Sequence, residues 1–354
     1  MISQLYDESI FISIGHREFQ IPRKIFADPG NSPNYFSLGF AAFFSGPDDL
    51  FPGLDREGLI RPPSIMPPSV PNRSADIFAE LLQLLRGYTV TIRDENHRAQ
   101  LLRDAKYFHF KGLEQRLVHH SKSYNQARQR DEIVLRLENV QKSGVNVAKP
   151  REDNVADPAA GWVTYARPYV DDTPSELVLE IGGESSKLHF FDDGTVRAEF
   201  FRDTKARVTR LFEVLATKLN LAPTTQPLGL LMASGGANSQ PASPGNTPLS
   251  EDLVRVSLEP ESAIILDGEE YHSGDLAGTV SGFPADHTGG QNPRKRRRMD
   301  GKSREWIVKI GQWRLRTQPS TGGKSSLECV LVAVKLDALS SELGRNFNRG
   351  FLSS

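Results

Sequence analysis

Only one cysteine, Cys329, occurs in the 354 residues, so the chain cannot close an internal disulfide or assemble a thiolate zinc site. Long apolar runs are also missing. The stretch 329–334, the longest near the C-terminus, falls far short of the ~20 residues that span a bilayer. No charged-then-apolar stretch opens the chain, so nothing reads as a secretory signal. Neither sign of charge dominates: 43 Lys and Arg face 44 Asp and Glu, a formal net charge of −1. That balance supplies no global field to recruit nucleic acid or anionic lipid. No internal repeat is found. Together these absences predict a soluble intracellular protein in a reducing compartment.

What is present is ordinary globular material, 38% hydrophobic and 25% charged, in a chain long enough for two domains. Ile10, Ile12 and Ile14 alternate with Phe11 and Ser13, Gly15 turns the chain, and Phe19 and Ile21 resume the alternation. Period-two patterning on both sides of a glycine turn predicts an antiparallel hairpin. A short helix over 23–26 follows, ended by Asp28, Pro29 and Gly30.

Aromatic residues crowd the next segment (Tyr35, Phe36, Phe40, Phe43, Phe44), and prolines crowd 47–71. The aromatics call for burial and the prolines forbid a continuous helix or central strand. Ser74 then caps a helix with Asp76 in its first turn, Ile77, Phe78, Leu81, Leu82, Leu84 and Leu85 form its apolar face, and Gly87 stops it. Residues 88–92 read as a short strand. Asp94 caps another helix with Leu101, Leu102, Ala105 and Phe108 inward, and Leu113 and Leu117 continue after Gly112.

From Asp131 the apolar period becomes two, in 133–137, 177–181, 188–190, 196–200, 254–258, 264–266, 306–310 and 330–334. One helix interrupts, with Val208, Leu211, Phe212, Leu215 and Leu219 inward and Asp203 or Thr204 as cap. The pattern predicts an α+β chain: an α/β module over 5–125, then a β-rich domain over 131–340 holding one long helix. Flexible or disordered insertions are expected at 142–160, 234–250 and 274–303, which are rich in Gly, Ser, Pro, Asn or Asp.

The run DIFAELLQLLRGY at 76–88 resembles the central helix of the T1-type BTB/POZ fold, and LLRDAKYF at 101–108 with Gly112 and Leu113 resembles the next helix of that fold. The segments GNSPNYF at 30–36, RPP at 61–63, PNRS at 71–74, YFH at 107–109 and KGLEQRL at 111–117 are similar to fungal BTB/POZ growth-regulation and stress-response proteins, related to animal KCTD proteins. GWVTYARP at 161–168 and QPLGLLMASGG at 226–236 extend the likeness downstream. The resemblance implies a BTB/POZ module at the N-terminus that self-associates as a homo-oligomer. It further implies a role in stress and nutrient signalling, with activation of a phosphatase and restrained growth as output. The chain starts close to the first strand without the long leader some members carry, so no partner is expected to dock through one.

Several local motifs invite chemistry. Gly322, Gly323, Lys324 and Ser325 suggest a phosphate loop, but Gln318 stands where its first glycine belongs and strands flank the stretch, so a hairpin loop is expected. Asp192 and Asp193 suggest an aspartyl nucleophile, but Gly194 occupies the position of the second carboxylate, and Asp-Gly between alternating runs predicts a hairpin turn. Adjacent His119 and His120, with His109, point to different faces and are expected to be surface or partly packed residues rather than metal ligands. Trp162, Trp306 and Trp313 are expected to pack in the core. Neither a catalytic constellation nor a cofactor site is expected.

Arg294, Lys295, Arg296, Arg297 and Arg298 form the sharpest charge feature, read as a nuclear-import signal, a phosphate-binding run or an inert solvated loop. No aromatic residue interleaves with it, so base stacking and direct nucleic-acid binding are not expected. Ser243-Pro244 and Thr247-Pro248 offer phosphosites at Ser243 and Thr247 for a proline-directed kinase. The expectation is a non-catalytic adaptor in the cytoplasm, with the basic run opening the nucleus to it. Its partner is expected to be a phosphatase or signalling component. A cullin ubiquitin-ligase adaptor and a BTB-type nuclear regulator are the alternatives, without a kelch-like repeat domain or zinc fingers to support either.

Overall fold

A computed structural model describes residues 9–39, 69–148, 161–221, 230–232, 253–271, 304–319 and 326–340. The chain separates into two units: Met1–Val118 with Arg167–Asp172, and His119–Ala166 with Thr173–Ser354. Together they give a mixed α/β protein with one large sheet and few helices among the described residues.

The first unit opens with β1 (Ser9–Ile14) and β2 (Arg17–Pro22), paired antiparallel from Ser9↔Pro22 to Ile14↔Arg17. Gly15 takes φ +60 in the turn, where a side chain would strain the backbone and meet the Arg73 carbonyl. β3 (Ser69–Val70) adds to β1 in parallel. Residues 23–26 form a single turn of 3-10 helix. Among the described residues four α-helices follow: α1 (Tyr35–Gly39), α2 (Ala75–Leu85), α3 (Glu95–Tyr107) and α4 (Lys111–Leu117). The Ser74 side chain accepts from the Ile77 amide at 3.4 Å, and Asp94 accepts from the His97 amide at 2.7 Å, so two helix starts lie where their cap residues put them. The expected strand over 88–92 is absent. Gly87 turns at φ +86, and Tyr88, 65% exposed, leads irregular chain to Asp94 without pairing to a sheet.

The core of this unit is aromatic. Phe36, 1% exposed, stacks between Phe26 at 5.1 Å and Phe108 at 5.8 Å, and Phe78 lies 4.8 Å from Phe108. Each such ring contributes about 1.5–3 kcal/mol on burial. Asn34 holds the entry to α1: its Oδ1 accepts from the Phe36 and Ser37 amides at 2.9 and 3.0 Å, while its Nδ2 donates to the Asn31 carbonyl. Thus the aromatic segment is core-packed as far as it is described; Phe40, Phe43, Phe44 and the prolines up to Pro68 lie outside the described residues.

Among the described residues twelve strands make the sheet of the second unit: β4 (His120–Asn125), β5 (Arg130–Arg136), β6 (Val145–Ala148), β7 (Gly161–Tyr165), β8 (Ser175–Phe190), β9 (Val196–Phe200), β10 (Leu230–Met232), β11 (Val254–Ser257), β12 (Ala263–Leu266), β13 (Glu269–Tyr271), β14 (Arg304–Pro319) and β15 (Ser326–Ser340). Pairings run β15–β11–β9–β8–β14 and back to β15, a closed circuit of five strands. Closure removes the edges of these central strands. The one α-helix described here, α5 (Arg202–Lys218), buries Val208, Leu211, Phe212, Leu215 and Ala216.

Four details depart from the sequence reading. β4 pairs with β5 along its whole length and clusters with the second unit, although 120–125 were assigned to the first module. Residues 145–148, expected to be loop, form β6 and pair with β7. No side chain caps α5, because the helix begins at Arg202, so Asp203 and Thr204 fall inside its first turn. Ile310 is 49% exposed although its phase with Trp306 and Val308 points inward. The register to β15 passes from Val308↔Ala338 to Ile310↔Asp337, so Lys309 is an extra residue and the bulge inverts the alternation.

Candidate functional site

Two segments that carry the sequence resemblance meet in the first unit, together with the turn over 167–172. Gly30 and Asn31 start one, Gly112 of α4 lies in the other, and Tyr169 belongs to the turn. They line a small cleft of about 210 Å³ with Asp28, Arg116 and Tyr169. The crossing depends on two glycines. A Cβ built on Gly30 would lie 2.8 Å from Tyr169 Cβ and 3.0 Å from Gly112 Cα, so any larger residue would force the segments apart.

Tyr169 is presented by a rigid turn. Asp171 Oδ2 accepts from the Arg167 amide and Nε, both at 2.9 Å, and Asp171 Oδ1 accepts from Arg167 Nη2 at 2.9 Å. This bidentate pair closes a short loop in which Tyr169 adopts φ +65 and leaves its side chain 55% exposed. Tyr169 is thus an exposed aromatic residue on a closed turn, and tyrosine is a residue type enriched at protein interfaces. Sequence reasoning stopped at Pro168. The Arg-to-Asp spacing of four was the available signal.

Nearby segments are locked by a buried acid. Asp104 is fully buried, and its Oδ1 accepts from Arg73 Nη1 at 3.2 Å and Arg103 Nε at 3.0 Å. The Arg73 guanidinium also lies 4.0 Å from the Tyr107 ring centroid. His97, buried on α3, accepts at Nδ1 from the Arg93 amide at 3.3 Å, so its Nε2 carries the proton given to Glu80 Oε2 at 2.6 Å.

The second unit buries a larger charge cluster. Arg314 of β14, 3% exposed, donates to Glu132 of β5 from Nη2 at 2.8 Å and Nε at 3.0 Å. Its Nε also lies 3.5 Å from Glu176 of β8, which accepts from Arg128 Nη2 at 2.6 Å. The Arg128 guanidinium covers Trp162 at 4.2 Å, and Arg316 flanks the same ring at 5.5 Å. Each buried carboxylate is thus faced by guanidinium groups, which offset the cost of burying it. Period-two reading missed it because it tracks apolar residues.

Of the residues flagged for chemistry, Asp193 and Gly194 form a turn. Asp193 closes the β8–β9 turn, accepting from Thr195 Oγ1 at 2.6 Å and its amide at 2.8 Å, and these bonds hold its carboxyl below the usual aspartate range. Gly194 takes φ +80 there. His109 links α3 to α4 at φ +58 with an exposed side chain, His119 is exposed, and His120 lies on β4. Among the described residues no three His, Cys, Asp or Glu side chains converge to hold a metal. Complete burial, and then Glu328 beside it, pushes the Cys329 thiol far above its ordinary value, so it is held as the neutral thiol. Trp306 and Trp313 are core residues, whereas Trp162 is half-buried between its two arginines. The basic run Arg294, Lys295, Arg296, Arg297 and Arg298, the phosphosites Ser243 and Thr247, and residues 322–325 lie outside the described residues. Among the described residues no helix is long and apolar enough to cross a membrane.

No family model matches the chain. In an alignment of 207 positions that covers 48% of its length, it is 30% identical to an uncharacterized protein of Saccharomyces cerevisiae. Over 143 residues, 39% of its length, it is 29% identical to a BTB/POZ domain-containing protein of the same yeast. These stretches span only 41% and 28% of the two relatives. The second match relates part of this chain to a protein that carries a BTB/POZ domain.

Proposed function

We propose that this protein is a non-catalytic protein-interaction adaptor whose first unit is a BTB/POZ-type module. The observation that carries the reading is the 29% identity over 143 residues to a BTB/POZ domain-containing protein. The cleft at Gly30, Gly112 and Tyr169 supports it with a surface suited to a protein partner. In this reading the module self-associates and holds a phosphatase or another component of stress and nutrient signalling, activating it to restrain growth. The protein works in the cytoplasm, and the basic run 294–298 opens a nuclear route.

The test is affinity purification of the full chain beside Tyr169→Ala and Arg116→Ala variants, with mass spectrometry of what is retained and light scattering for self-association. A phosphatase held by the full chain and lost from the variants is the expected result. A cullin in its place would move the assignment to a ubiquitin-ligase adaptor. A full chain that remains monomeric and retains no protein would overturn the reading.

A further inference from the structure

Helix α5 carries an unusual charge distribution. Arg202, Lys205, Arg207 and Arg210 occupy its first nine residues and are exposed, against Asp203 alone. Cations in the first turns of a helix oppose its dipole, which favours anions at that end. Among the described residues no salt bridge engages Arg202, Arg207, Arg210 or Lys142. The arrangement therefore works against the helix's own stability, and among the described residues it leaves Arg202, Arg207 and Arg210 without an ion-pair partner.

Beside this surface runs an apolar groove. Leu137, Val140, Leu211 and Val214 form its floor, Lys142, Arg207 and Arg210 its rim, and a cavity of about 240 Å³ lies between them. Glu138 is the one acidic residue of the lining. A shallower depression continues along the helix over Arg202, Lys205, Ala206, Thr209 and one acid, Glu213, sharing Arg210 with the first. From Arg202 to Val214 the track is about 18 Å long, the reach of roughly five or six extended residues. At 240 Å³ the deeper part lies below the ~300–1,000 Å³ of sites that enclose small molecules. It suits an anchoring side chain from a longer ligand.

We propose that this groove is a docking site for a linear acidic peptide segment of a partner protein, anchored by aliphatic side chains on the floor and held by carboxylates against Arg207, Arg210 and Lys142. Charge complementarity selects the occupant. The floor has no aromatic residue on which a base could stack, which disfavours single-stranded nucleic acid. A second copy of this chain, with net charge −1, brings no strong acidic excess. The proposal rests on the adaptor reading and assigns the second unit a partner site of its own.

The test is direct binding of the full chain to an array of Asp- and Glu-rich peptides carrying paired leucines. Controls replace leucine by serine, the acids by lysine, or add phosphoserine, and a single-stranded oligonucleotide is included. Acidic leucine peptides are expected to bind, and Arg207→Glu with Arg210→Glu is expected to weaken them by about tenfold or more. Both positions are exposed, and an unchanged melting curve separates lost docking from lost folding. Equal binding by the double variant, equal or tighter binding of the serine, phosphoserine or nucleic-acid controls, or no binding at all would overturn the proposal. A double variant that still co-purifies with the native partners, after the peptides have failed, would leave the adaptor reading standing while removing the groove from it.

Discussion

The two units solve the problem of a specific core in opposite ways. The first packs rings: Phe26, Phe36, Phe78, Phe108 and Phe110 meet within a few ångströms, so shape decides the arrangement. In the second, Arg314, Glu132, Glu176 and Arg128 join strands far apart in the chain, so pairing decides it. The contrast teaches that a fold can be pinned by volume or by charge. The two devices fail differently: a cavity can partly collapse, whereas an orphaned buried charge has nowhere to go.

All three tryptophans, Trp162, Trp306 and Trp313, belong to the second unit, so indole fluorescence reports on that unit alone. Arg314→Met, which takes the close guanidinium from buried Glu132 while Glu176 keeps Arg128, is expected to cost about 3–5 kcal/mol and to shift the fluorescence transition. Adding Glu132→Leu, which leaves the Arg128–Glu176 pair intact, should recover most of it; no recovery would show that the cluster acts through more than its charges. Leu81→Ala in the first unit is expected to cost about 2–5 kcal/mol, read in amide exchange of α2 and α3, with the indole transition less affected. Equal shifts in both signals would erase the comparison by showing that the units unfold as one.

Gly30→Ala should cost about 1–3 kcal/mol by overpacking against Gly112 and Tyr169. A neutral result would show that the 167–172 turn gives way freely. The smallest effect concerns Asp193. Its folded-state pKa is lowered by Thr195, so its contribution to the β8–β9 turn is present above the ordinary aspartate value and is lost as pH falls through the lowered one. The Thr195 amide resonance should titrate below the ordinary aspartate midpoint, and Asp193→Asn should abolish that titration.

The helix starts at Ser74 and Asp94, the hairpin around Gly15 and the turn at Gly194 were legible because each depends on residues within a few positions. Tyr88 to Ile92 failed because β-forming residues make a strand only where a neighbour accepts their hydrogen bonds. Ile310 failed because one inserted residue, Lys309, shifts the phase of a long strand. In the candidate site, Gly30 and Gly112 stood in segments already singled out, but nothing local joined them to Tyr169 more than fifty residues downstream. The Arg314 cluster was hidden for the same reason: Glu132 and Arg314 are 182 positions apart.

The assignment of Arg167–Asp172 to the first unit has a further consequence. The chain forms four strands of the sheet, lends six residues elsewhere, and then resumes the sheet at β8. No single cut in the polypeptide separates the two units intact. Gene fusion and exchange of cassettes, the ordinary route by which interaction modules acquire new partners, would leave one of the two products without part of its own unit. The halves are therefore expected to have been inherited together, and to be engineered only together.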